Sequence, residues 1–149
     1  MPISSLETHV GFWLRFVSNR VSKRFAQLLE ERSVSVSEWV SLRHLYDATD
    51  TTPLDVMGAL GMTKGAVSKI LVRLESRALV WRVTDPGDCR AHRIGLTRAG
   101  RALVPALTRL ADANDLHFFG ILSSAQRHAL VDIMATVVRA HGLTQVPTE

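Results

Sequence analysis

Apolar residues recur every three or four positions along most of the chain, the spacing of helices with one buried face. Leu6, Val10, Trp13, Leu14, Val17, Val21, Phe25, Leu28 and Leu29 predict a helix over 6–31, about seven turns long. A helix of that length exceeds a small single core and suits packing against a second chain. Ser35 and Glu38 stand at capping-box spacing, where two side chains satisfy the free N–H groups of a starting helix. That helix runs to about Ala48, with Trp39, Leu42 and Leu45 inward. Thr52 as N-cap and Pro53 at the first helical position open a short helix that ends at Gly61. Thr63 caps the next, which buries Val67, Ile70, Leu71 and Leu74. Its opposite arc carries Gly65, Ser68, Lys69, Val72 and Ser76, with Arg73 on the flank.

The pattern then changes. Residues 79–84, Leu-Val-Trp-Arg-Val-Thr, are strand-like. Asp85-Pro86-Gly87-Asp88 is a turn signal, and residues 93–96 return as a second strand after a loop over 88–92. Thr97 caps a long helix to about Gly120, in which Pro105 predicts a local kink. Ser123 and Gln126 form another capping box, and the last helix stops at Gly142. The tail 143–149 is expected to be loose.

With 149 residues, 46% of them hydrophobic and 21% charged, the chain suits one globular domain. A single cysteine excludes an internal disulfide and an all-cysteine metal site within one chain. No apolar run approaches the ~20 residues of a membrane span, and the N-terminus has no basic start followed by an apolar run. A soluble, reduced, cytoplasmic protein is therefore expected. The net charge of +4 is unevenly spread: residues 63–101 hold nine bases and three acids, a local +6, which leaves −2 for the remainder. A basic segment in a slightly acidic chain fits a polyanion partner, with nucleic acid the first choice; a solvated surface is the alternative.

Two helices joined by a tight turn at Gly61, followed by a strand, a basic turn and a strand, make a winged helix-turn-helix. A groove-facing helix needs donors for phosphates and base edges, and small residues for close approach. Thr63, Lys64, Ser68, Lys69 and Arg73 supply donors and Gly65 permits approach; Asp88, Arg90 and Arg93 belong to the basic wing. Residues 71–80, Asp85-Pro86-Gly87-Asp88-Cys89-Arg90, and Ile94 to Gly100 resemble the MarR family of bacterial transcription regulators. That family has an Asp-x-Arg wing, here Asp88 and Arg90, and a Leu-Thr-x-x-Gly motif, here Leu96, Thr97 and Gly100.

The resemblance implies a mainly α fold with a small β-hairpin, a single domain over 1–149. A winged helix-turn-helix lobe, 35–97, is flanked by dimerisation helices over 6–31 and 98–141. It implies a homodimer on a palindromic double-stranded operator, with no cofactor and no catalytic role. Repression would act by occluding promoter DNA. By the same resemblance, Ser68 and Arg73 match recognition-helix positions, Arg90 enters the minor groove, and Asp88 orients it. Ala78 departs from the family's usual glycine, and alanine accepts a positive φ poorly, so a slightly altered helix end is expected there. Effectors of the family bind between the dimer helices and the DNA lobe, where His9, Trp13, Trp39 and His44 would suit a small aromatic or carboxylated molecule. The plain alternative is that both tryptophans fill the core.

Cys89 and His92 offer a nucleophile and a base, but a basic wing tip provides neither pocket nor orienting group. A thiol among Arg82, Arg90 and Arg93 also fits a redox switch, against the simpler reading of an incidental loop residue. The scattered histidines show no i, i+4 pair and so no dedicated metal site. The rivals to a DNA-binding regulator are a ligand or redox sensor with another output, a small enzyme using Cys89, and a winged helix that binds protein.

Overall fold

The computed structural model describes residues 1–85 and 87–148, with side chains for all of these except 85 and 88–91. The first helix, α1, spans Val10–Glu30 rather than starting at Leu6. Leu6–Thr8 form a separate 3-10 turn, and His9 is extended at φ −93° and ψ 121°. Side chains compete for the backbone here. Thr8 Oγ1 donates to the Ser5 carbonyl at 2.7 Å, and Trp13 Nε1 donates to the Glu7 carbonyl at 2.9 Å.

Helix α2 (Val36–Asp47) starts in the expected Ser35–Glu38 capping box. Helix α3 (Pro53–Leu60) starts at Thr52, and Asp55 completes a capping box that the sequence reading did not include. Gly61 ends α3 in the left-handed region at φ 63°. Helix α4 (Lys64–Ser76) is capped by Thr63, whose side chain accepts from the Ala66 N–H. Its expected apolar stripe, Val67, Ile70, Leu71 and Leu74, is buried.

The hairpin pairs β1 (Val80–Asp85) with β2 (Asp88–Leu96) antiparallel, with Val80 opposite Leu96 and Arg82 opposite Ile94. The loop expected over 88–92 is strand instead. The ladder continues through Val83–Arg93 and Thr84–His92, and its register shifts only between Thr84 and Asp85. Backbone pairing in a two-stranded ribbon does not require apolar side chains, so the polar run concealed the start of β2. Thr51 adds a bridge to the other edge of β2, where the Ile94 N–H donates to its carbonyl at 2.9 Å.

The hairpin lays Val80, Ile94 and Leu96 on a core built from Leu29, Leu42, Leu45, Leu71, Leu74 and Leu107. Its other face shows Trp81 and Val83 to solvent. Gly95 lies under the Trp81 ring, where a Cβ would stand 2.4 Å from Cζ2. Helix α5 (Arg98–Phe119) is capped by Thr97 and continues through Pro105. At Gly100 a Cβ would stand 2.0 Å from the Leu79 carbonyl oxygen, so glycine there sets how closely α5 approaches β1. Buried Asn114 ties α5 to α1: its Oδ1 accepts from Arg24 Nη1 at 3.0 Å and its Nδ2 donates to the Val21 carbonyl at 3.2 Å.

Helix α6 (Ser124–Ala140) has the expected Ser123–Gln126 capping box and buries no residue. Gly142 ends it at φ 58°. The following tail is not loose through residue 148. Val146 packs on the core and its N–H donates to the Leu60 carbonyl at 3.0 Å. Backbone left free at the end of α3 thus gains a partner from the far end of the chain.

The Ala78 position also differs from expectation. Ala78 adopts φ 55°, so the helix end keeps the left-handed geometry that glycine would take. The Ala78 N–H donates to the Glu75 carbonyl and the Leu79 N–H to the Leu74 carbonyl, both at 2.9 Å, the two bonds of a Schellman end.

Candidate nucleic-acid interface

Burial of the apolar stripe of α4 turns Lys64, Gly65, Ser68, Lys69, Val72 and Arg73 outward, and all are exposed. No acid lies among them. A Thr63 cap and a Gly65 without side chain leave the start of the helix open to close approach, with lysines at 64 and 69 beside it. The expected recognition set on α4 is therefore gathered on one surface.

Arg73 has a partner that periodicity did not reveal. Glu38, on α2, is only 6% exposed. Its Oε1 lies 3.2 Å from Arg73 Nε, and its Oε2 lies 3.8 Å from Arg77 Nη1. The same Oε2 accepts from the Ser35 N–H at 3.3 Å. Arg77 Nη1 also donates to the Ser33 carbonyl at 2.6 Å. One buried carboxylate thus caps α2 and fixes a side chain of α4. The Arg73 side chain remains 57% exposed, so its guanidinium is positioned rather than sequestered. The available signal was the Glu38 capping position, but its second partners lie 35 and 39 residues away.

On the wing, Arg93 pairs with Asp50, and Arg82 Nε lies 3.2 Å from Glu75 Oε2. Arg93 is therefore an ion-paired cation partway along the hairpin, opposite Val83. The side chains of Asp88, Cys89 and Arg90 lie outside the described residues. The Asp55 carboxyl is held below its ordinary value, chiefly by the Thr52 backbone N–H, then by the Thr52 hydroxyl, with a smaller contribution from His44.

The four effector-pocket residues are placed differently from one another. Trp39 is half-buried and meets Phe25 edge-on at 6.2 Å between ring centroids. Trp13 is 51% exposed and stacks edge-on with Phe12 at 5.3 Å. His9 is exposed, its Nδ1 3.0 Å from the Ser5 carbonyl, and His44 is half-buried on α2. None of them lines either of two clefts formed by described residues. One cleft, of 460 Å³, runs along the α2-facing flank of α4. The other, of 260 Å³, lies between α2 and α5 at Arg43, Tyr46, Val104, Pro105 and Thr108. The guanidinium carbons of Arg43 and Arg101 stand 5.7 and 5.1 Å from the Tyr46 ring centroid there. Among the described residues no three His, Cys, Asp or Glu side chains gather as metal ligands. No described helix is long and apolar enough to cross a membrane.

No family model matches the chain. It is similar to the Bordetella bronchiseptica BpsR structure, solved for regulation of DNA binding by 6-hydroxynicotinic acid, at 29% identity and a TM-score of 0.78, covering 92% of this chain and 97% of that one. The Staphylococcus aureus MepR–DNA complex aligns at 26% identity and a TM-score of 0.77, covering 89% and 98%. The HTH-type transcriptional repressor NicR of Pseudomonas putida is 26% identical over 129 residues, 87% of this chain and 82% of NicR.

Proposed function

We propose that this chain belongs to the MarR family of bacterial transcription regulators and is a sequence-specific double-stranded DNA-binding regulator, a repressor released by a small-molecule effector. The observation that carries this reading is the outward face of α4, exposed, free of acid and supplied with Lys64, Ser68 and Lys69. Beside them Glu38 holds Arg73 in place. In the proposed complex α4 enters the major groove. Lys64 and Lys69 meet phosphates, Ser68 and Arg73 reach base edges, and Thr63 and Gly65 allow the helix end to approach the backbone. The wing follows the adjacent minor groove, where Arg90 inserts and Asp88 orients it. Arg93, bound to Asp50, steadies the wing and adds less to DNA affinity.

The reading places the DNA lobe at 35–97 and the dimerisation helices at 6–31 and 98–141. Val10, Trp13, Leu14, Phe16 and Val17 on α1 and Val131, Ile133, Val137 and Val138 on α6 are exposed. So much apolar surface on elements flanking a lobe supports a homodimer. Release follows if an effector favours lobe spacings that do not match half-sites about 34–36 Å apart. A small aromatic or carboxylated molecule near His9, Trp13, Trp39 and His44 is the proposed effector, supported by the reported response of BpsR to 6-hydroxynicotinic acid. The cytoplasm is the proposed location, and a binding role is favoured over an enzymatic one.

Fluorescence anisotropy with duplex DNA from immediately upstream of the coding sequence tests the reading. Lys69→Ala should weaken binding and flatten the salt dependence by about one unit. Arg90→Ala should weaken it about fivefold or more, on the usual scale of about 1–3 kcal/mol for a good contact, and Arg90→Lys should not restore it because a point charge lacks the planar fork. Folded variants that bind like the parent across salt would refute the α4 assignment.

A further inference from the structure

We infer that residues 143–148 form an intramolecular strap that covers the α2-facing flank of the recognition helix and competes with DNA for it. This inference rests on the DNA-binding reading above. Three contacts seat the strap. The Val146 N–H donates to the Leu60 carbonyl at 3.0 Å, at the start of the turn between α3 and α4. The Val146 side chain packs on the core. Gly61 leaves room for the strap: a Cβ there would stand 2.7 Å from Gln145 Cα and 2.8 Å from the Thr144 carbonyl oxygen. The glycine that turns the chain between the two helices is thus also the seat of the tail.

Beyond this seat, Gln145 and Thr148 line the 460 Å³ cleft whose other walls include Ser37, Lys69 and Arg73. Lys69 and Arg73 are the cations assigned to DNA, and Ser37 lies in the first turn of α2. A phosphate strand running beside α4 must approach this same flank to reach them. With the strap seated, the cleft is narrowed by neutral backbone and side chains that offer those cations no opposite charge. The seat is also weak. We take the closed-to-open ratio as about five- to thirtyfold, since one hydrogen bond and one half-buried valine must also offset the entropy of ordering the tail. DNA therefore binds the full chain with an affinity reduced by the fraction of molecules whose strap is open. Because the strap continues directly from α6, whatever holds or moves that helix also sets this fraction.

The test compares the full chain with a chain ending at Gly142, and with Val146→Pro in the full chain, which removes the donor while keeping an apolar ring. The probes are the upstream duplex and a random-sequence duplex. The shortened chain should bind both about five- to thirtyfold more tightly, and Val146→Pro should shift in the same direction. In the full chain, saturating DNA should abolish the hydrogen-exchange protection of the Val146 amide. Equal or weaker binding by a shortened chain whose α4 amides stay protected would overturn the strap and leave the DNA reading standing. If the shortened lobe loosens, Val146→Pro decides by the same criterion. If no form binds either duplex, the DNA reading itself fails and the strap falls with it.

Discussion

Replacing Ala78 by glycine should stabilise the protein. Ala78 sits at φ 55° as the last link between α4 and β1. An L-residue in the left-handed region carries a steric cost of about 1–2 kcal/mol that glycine avoids. Glycine costs about 0.4–1 kcal/mol through the larger freedom of its unfolded chain. Ala78 is exposed, so little burial is lost with its methyl group. The hydrogen bonds around it use backbone atoms only on its own side: its N–H donates to Glu75, and its carbonyl accepts from Thr97 Oγ1 at 2.6 Å. Both survive the change. The difference between those two terms spans about 0–1.6 kcal/mol, with about 0.8 kcal/mol at its centre. For a chain of this size that central value raises the thermal midpoint by about 1–4 °C. Wild type and Ala78→Gly should be melted side by side at one protein concentration, since the midpoint of the proposed dimer would depend on it. Chemical denaturation should give the same sign with an unchanged slope. Affinity for DNA should stay within about twofold, because no contact assigned to DNA is touched. An unchanged or lowered midpoint would show that the left-handed conformation is not strained here, and the reasoning would fail.

Gly100→Ala should act in the opposite sense, because its methyl would meet the Leu79 carbonyl; we expect a loss of about 2 kcal/mol or more in denaturant titrations. Glu38→Gln retains a side chain able to complete the α2 cap but frees Arg73 and Arg77 from their ion pairs. It should cost about 1–2 kcal/mol of stability, below the range for fully buried pairs because both arginines reach solvent. Arg77 keeps its bond to the Ser33 carbonyl, so Arg73 is the side chain that loses its anchor; the change should also weaken specific DNA binding although the protein becomes more positive, and tighter specific binding would refute the positioning role. The Asp55 carboxyl is depressed below its ordinary 3.8 by its bonds to Thr52. Its contribution to α3 is therefore present above that ordinary value and lost as the pH falls through the lowered one. The stability gap between wild type and Asp55→Asn should close across that acidic range, and a gap that persists there would contradict the assignment.

What the sequence revealed followed the range of the interactions. The caps at Ser35, Thr52, Thr63, Thr97 and Ser123 join residues three apart, so a local pattern suffices to find them. The buried stripe and exposed arc of α4 were legible for the same reason. The start of α1 was not, because apolar spacing continues through Leu6 and Val10 while Thr8 and Trp13 draw the backbone out of the helix. The first half of β2 was hidden by its polar side chains. Glu38 with Arg73, Asn114 with Arg24, Thr51 with Ile94 and Val146 with Leu60 all join distant segments, and no periodicity encodes such pairs. For the candidate site, residue type and helical phase located the donors on α4. Which of them are tied to acids, as Arg73 and Arg93 are, required the fold.

Helix α6 has 17 residues and none is buried by its own chain. An isolated helix near that length is only marginally formed in water. This segment therefore leaves the ribosome without a template of its own. In the proposed homodimer its order is acquired from an encounter, and its lifetime in a cell becomes a function of abundance. On that reading a scarce chain offers frayed, apolar sequence to proteases and chaperones, while an abundant one is shielded by its copies. Synthesis rate and turnover would thereby be joined through a single amphipathic segment, and dilution at cell division alone would steepen the fall in the intact population.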